Sequence, residues 1–156
     1  MHATLTILGG SVHGLGPVAL YAAPYHSFLL DLIGGPDNWR LIAAAPAERG
    51  IVCGALRIDG RGGDQAPLLA WAARYAAALN GRGTDRVGLA NAAPLATLTP
   101  DDAAGHLRAL GRAAHLAALP AGAAIEAGLD PRSFDARTAA LGGLVPRAAR
   151  GSRRRG

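Results

Sequence analysis

Six side chains could carry chemistry in this chain: Tyr21, Tyr25, His26, Arg57, Asp59 and Asn91. Arg57 and Asp59 stand two residues apart at the end of an apolar run. An arginine there can take a carboxylate or phosphate through its planar fork of donors. Together the six are candidate contacts to a small anionic ligand. Each also has a plainer use. Tyr21 and Tyr25 can pack, and His26 can cap or lie on the surface. Arg57 and Asp59 can pair with each other, and Asn91 can make a turn. Asp37, Asn38 and Trp39 read as a helix start with an anchoring aromatic.

These residues matter only if strand ends present them. The middle of the chain predicts such ends. Ile51 to Ile58 is apolar without alternation, as in a parallel strand covered on both faces. Gly54 inside it implies close packing or a bulge. Ala66 to Leu79 has Leu69, Ala72, Ala73, Ala76 and Leu79 at helical spacing, and Asn80 and Gly81 stop it. Arg86 to Ala90 predicts a second strand. Thr99, Pro100 and Asp102 then open a helix through Ala118, with Leu107, Leu110, Ala114 and Ala117 as its buried stripe. His106 and His115 fall off that stripe and read as solvated. Strand, helix, strand, helix at regular spacing specifies parallel strands with helical crossovers, whose ligands sit at the strand carboxyl ends.

The first fifty residues are harder to read. Ala3 to Leu8 predicts a short strand, and GGSVHGLG follows it. That loop lacks both the GxGxxG spacing and the lysine of a P-loop, which argues against a phosphate cradle. Pro17 to Tyr21 reads as a strand and Tyr25 to Ile33 as a helix. Asp37 or Asn38 then caps a helix through Ala45.

Composition limits the possibilities. A length of 156 residues suggests one domain, and half the residues are hydrophobic, enough for a core. With aromatics at only 4%, that core must be aliphatic. All sixteen basic residues are Arg, as expected from coding bias in a GC-rich genome. Residues 1–146 carry 11 Arg and 11 acids, so the net charge of +5 comes from the last ten residues. We expect a barrel-type domain over residues 1–120 and a poorly structured Arg-, Gly- and Ala-rich tail over 121–156, with Ala123 to Ala127 at most a helical turn. Five tail arginines could bind nucleic acid non-specifically, but the body is balanced and no aromatics interleave with them. The lone Cys53 excludes an internal disulfide and any paired-Cys zinc motif. Met1 to Leu8 does not read as a signal peptide, and no apolar run reaches the roughly 18 residues that span a bilayer. A soluble, cytoplasmic protein is expected.

The stretches PYHSFLLDLIGGPDNWRLIAAAP (Pro24 to Pro46), IVCGALRIDGRGG, and RVGLANAAPLATLTPDDAAGHLRALGRAA (Arg86 to Ala114) resemble the carboxyl-terminal barrel of cobalamin-independent methionine synthases. The likeness covers roughly residues 17 to 118 and rests on order and character. It implies a (β/α)8 fold, a methyl-folate, and methyl transfer to a thiol held on zinc. The family's zinc ligands would fall at His2 and Thr4 (a His-x-Cys pair), near Tyr21 (a Glu) and at Ala93 (a Cys). Only His2 matches, and a zinc site needs three or four ligands. The resemblance therefore implies ancestry and fold, with a small anionic or thiol ligand and neither zinc nor another cofactor. A complete barrel takes about 250 residues. This chain supplies about four βα units, so a second copy or a partner chain is expected to complete it, unless the chain is a fragment. The alternative within the superfamily is uroporphyrinogen decarboxylase-like binding of a polycarboxylate by Arg57 and Asp59.

Overall fold

The computed structural model describes residues 1–59 and 65–120. Four strands form one parallel sheet in the order β1-β2-β3-β4: Thr4–Ile7, Ser27–Asp31, Gly50–Leu56 and Val87–Asn91. Helices follow each: α1 (Pro17–Tyr21), α2 (Asn38–Ala44), α3 (Ala66–Ala78) and α4 (Pro100–Ala118). A doubly wound sheet reverses its strand order midway, whereas this one runs straight through. The architecture is α/β, a partial barrel-like unit of four parallel strands and covering helices.

Register explains the layers. Leu5, Phe28, Ile51 and Val87 lie side by side across the sheet, as do Ile7, Leu30, Cys53 and Leu89. These two rows pack against Leu20, Leu41, Ile42, Leu69, Ala72, Ala76 and Ala113 of the helices. The alternate rows point the other way. Thr6, Leu29, Val52 and Gly88 form one, and none belongs to that core. Helices therefore cover one face, as right-handed crossovers in sequential order require.

The second half of the chain forms as its local signals dictate. Thr99 caps α4, its hydroxyl accepting from the Asp102 amide at 3.2 Å and donating to the Asp102 carboxylate at 2.7 Å. Asn80 and Gly81 take positive φ and end α3. At Gly54 both expected causes are present. A Cβ there would meet the Leu30 carbonyl at 2.7 Å, and the β3–β4 register shifts between Gly54 and Leu56.

The first half requires corrections. Pro17–Tyr21 is a helix, not a strand, and the helix expected over Tyr25 to Ile33 is replaced by strand β2. Short apolar runs have no periodicity that separates the two states. Here the sheet decides: Phe28, Leu30 and Leu32 are fully buried beneath the helices. Asp37 makes no side-chain cap on α2. The stripe of α4 is also rotated. Ala109, Leu110, Ala113 and Leu116 face the core, while Leu107 is 56% exposed and Ala114 is exposed. His106 is half-buried and His115 exposed. The turn expected at Ala123 to Ala127 and the tail lie outside the described residues.

Candidate functional site

The loops after the four strands meet in a cleft of about 410 Å³ at the carboxyl end of the sheet. Its walls are mainly apolar: Leu8, Ile33, Ile58, Ala92 and Pro94. Among the described residues, three charged groups reach it: Asp31, Arg57 and Asp59.

Arg57 is held from both sides. The Gln65 side chain, at the start of α3, accepts from the Arg57 amide at 2.9 Å and donates to the Arg57 carbonyl at 3.1 Å. That is the pattern a neighbouring strand would provide, so Gln65 fixes the residue just beyond β3. The guanidinium donates to the Asp59 carboxylate through Nε, at 3.1 Å, and through Nη2. This hydrogen-bonded carboxylate raises the Arg57 pKa above its ordinary value, so the cation persists at any physiological pH. The Arg57 side chain is 13% exposed and that of Asp59 44%. An arginine has five N–H donors. Two serve Asp59, and the Nη1 edge makes no hydrogen bond among the described residues.

Asp31 is the acid at the end of β2, and it is 2% exposed. Its Oδ2 accepts from the amides of Gly9 and Gly10 at 3.1 and 3.2 Å, and its Oδ1 from those of Ile33 and Gly34 at 2.9 and 2.7 Å. The glycine-rich loop after β1 thus cradles an anion, and the anion is the chain's own carboxylate. Gly9 and Gly10 reach this arrangement with φ of +86° and +141°, which favours glycine. Asn38, fully buried, completes the knot. It donates to the carbonyls of Gly10 (3.0 Å) and Asp31 (2.7 Å) and accepts from the Val12 amide at 2.9 Å. Asp31 and Asn38 therefore shape the rim of the cleft.

The six candidate residues divide between the two ends of the sheet. Arg57 and Asp59 lie in the carboxyl-end cleft. Asn91 ends β4 beside it and turns its amide onto the Ala93 carbonyl. The sequence places Tyr21 at the end of a strand and Tyr25 at the start of a helix; the structure instead has α1 over Pro17–Tyr21 and Tyr25 in the loop before β2. Tyr21 is buried, and its hydroxyl donates to the Leu41 carbonyl at 2.8 Å. Tyr25 packs edge-on to Phe28, with ring centroids 6.3 Å apart. His26 precedes β2 at the amino end, where its Nδ1 accepts from the Ala3 amide at 3.2 Å and its ring lies 5.1 Å from that of His2. A second cleft, about 420 Å³, lies there among His2, His26, Glu48, Asp85 and Arg86. Sequence reasoning missed Asp31 and Gln65 and read Asn38 only as part of a helix start. Their signal is a polar residue at a strand end or a helix start, but most of their partners are seven to twenty-eight positions away.

The zinc that the resemblance implies does not fit these residues. His2 lies at the amino end and Ala93 at the carboxyl end, so those positions cannot share a metal. The acid at the end of β2, Asp31, has both oxygens engaged by amides. Among the described residues no group of three His, Cys, Asp or Glu could hold a metal ion. Cys53 is fully buried, and burial pushes its thiol up to about 12, away from a thiolate.

Comparison with known proteins returns no matching family model, no matching curated protein and no matching solved structure. No helix among the described residues is long and apolar enough to cross a membrane.

Proposed function

We propose that this chain is a methionine synthase-like barrel unit without zinc-dependent methyl transfer, which binds a small anionic or thiol ligand at its strand carboxyl ends. One observation carries the reading. Arg57 is pinned by Gln65 at the mouth of an apolar cleft, with one guanidinium edge turned away from Asp59. A ligand with a carboxylate for that edge and a short apolar or thiol body suits the walls. Ligand pockets commonly run from about 300 to 1,000 Å³. The cleft lies near the lower end, which favours an amino-acid-sized ligand over the tetrapyrrole polycarboxylate of the alternative reading. Tyr21, Tyr25 and His26 have no part in it, and Asn91 shapes the loop beside it. The open sheet is completed by a second copy or a partner chain. The reading includes a cytoplasmic setting, in keeping with the single unpaired Cys53.

Calorimetric titration with homocysteine, a thiol that carries a carboxylate, tests this. Binding to the full chain that weakens about tenfold or more in Arg57→Gln is expected. A wild-type protein that ignores homocysteine and takes a uroporphyrinogen analogue instead would move the assignment to the alternative. Equal binding by wild type and Arg57→Gln would remove the cleft from it.

A further inference from the structure

Beyond the terminal Met1, the exposed large hydrophobic side chains of the described residues belong to the units at the two lateral edges of the sheet. Leu8, Leu15 and Val18, at 37%, 63% and 84% exposure, belong to the first strand-helix unit. Leu107, at 56%, belongs to the last helix. Strands β2 and β3 stand between β1 and β4, so the two sets cannot meet within one sheet of this order.

Helix α4 has a second feature of the same kind. Its core-facing residues are Ala109, Leu110, Ala113 and Leu116. Leu107, Gly111, Ala114 and Ala118 form another line, spaced by four, three and four residues. Residues so spaced share one helix face. All four are uncharged and exposed. Among the described residues, a helix with one covered apolar stripe and one bare one has a neighbour on one side only.

The edges of the sheet agree. Among the described residues β1 pairs only with β2, and β4 only with β3. The row Thr6, Leu29, Val52 and Gly88 lies on the face the helices leave open. Such an edge recruits another strand.

We propose that two copies of this chain close an eight-stranded parallel barrel, with β4 of each pairing with β1 of the other and the Leu107–Gly111–Ala114–Ala118 face of α4 covering Leu15 and Val18 of the other. A two-fold axis along the strands keeps all eight parallel. Eight is the number at which such a sheet closes around an interior that side chains can fill. Right-handed crossovers keep every helix outside. One rotation supplies both missing neighbours twice over, which is the economy of a closed two-fold assembly. The assembly deepens the ligand reading and rests on it for its functional meaning, since each copy brings an Arg57–Asp59 pair to one shared mouth.

Light scattering on the full chain during size-exclusion chromatography tests it, with circular dichroism to confirm folding. The wild type is expected at twice the 15.8 kDa chain mass. Leu107→Asp and Val18→Arg are each expected to weaken dimerisation about tenfold or more, and the double variant to restore it by pairing the new charges across the interface. Ala114→Asp reads the same surface should Leu107→Asp fail to fold. A monomeric wild type, an open-ended assembly, or a dimer indifferent to these substitutions would overturn the proposal. The two readings fail separately. A dimer that binds no homocysteine removes only the ligand, and a monomer that binds it removes only the dimer.

Discussion

At the scale of single residues, backbone groups satisfy the buried side chains of Asp31, Asn38 and Arg82. Asp31 receives four amides from two loops. An amide side chain has one acceptor oxygen, so Asp31→Asn strands amides in a buried place. It should cost about 2 kcal/mol, seen as a lower urea midpoint with an unchanged slope. Cys53 gives a pH dependence. Burial raises its thiol from 9.0 to about 12, against a smaller lowering by the nearby Arg82 charge. The unfolded chain then releases this proton first. Between about pH 9 and pH 12 the native state holds more protons, so stability falls as pH rises. Below pH 9 this group contributes no slope. Tyr21, also raised by burial, adds in the same direction at higher pH. Cys53→Ala should flatten the decline in denaturation midpoint between pH 9 and pH 11. An unchanged decline would assign it to other groups.

At the scale of elements, α4 shows what a local signal can and cannot do. Its start is written in adjacent residues: Thr99 caps, Pro100 sits at the first helical position, and Asp101 and Asp102 face the helix dipole. Thr99→Ala should cost about 1 kcal/mol, measured by thermal unfolding, with circular dichroism at room temperature unchanged. Its buried stripe is not written locally. Apolar residues occupy most of the helix circumference, and packing against α3 and β4 selects Ala113 over Ala114. The same ambiguity reversed α1 and β2. Short, largely apolar runs fit either state, and the pairing of Ser27–Asp31 between β1 and β3 settles it.

At the scale of the whole molecule, Arg82 joins segments that no nearby sequence connects. It is 4% exposed. Its guanidinium donates to the carbonyls of Arg49 (3.0 Å), Ala76 (2.7 Å) and Ala45 (2.9 Å). The last two lie at the ends of α3 and α2, where carbonyls lack helical partners and favour a cation. Arg82→Ala leaves several buried carbonyls bare and should cost about 3 kcal/mol or more by chemical denaturation. Arg82→Lys should recover only part, because a point charge cannot reach all three acceptors. The outer layer is tied in a second way, by Trp39 of α2 against Trp71 and Tyr75 of α3, at 5.4 and 5.6 Å between ring centroids.

By itself the sequence determined the parallel α/β class and the second pair of strand-helix units. It also placed Arg57 and Asp59 at a strand carboxyl end. Those features depend on caps, stops and periodicity within a dozen residues, where local energies suffice. Tertiary structure alone decided the identity of residues 17–31, and with it the transfer of Tyr21 and Tyr25 into packing and of His26 to the far end of the sheet. It alone decided that the glycine loop holds Asp31, that Gln65 pins Arg57, and that Arg82 is a buried staple. Each of these rests on partners brought together by folding, and the free energy that fixes them is burial and hydrogen bonding across the sheet, which no window along the chain contains.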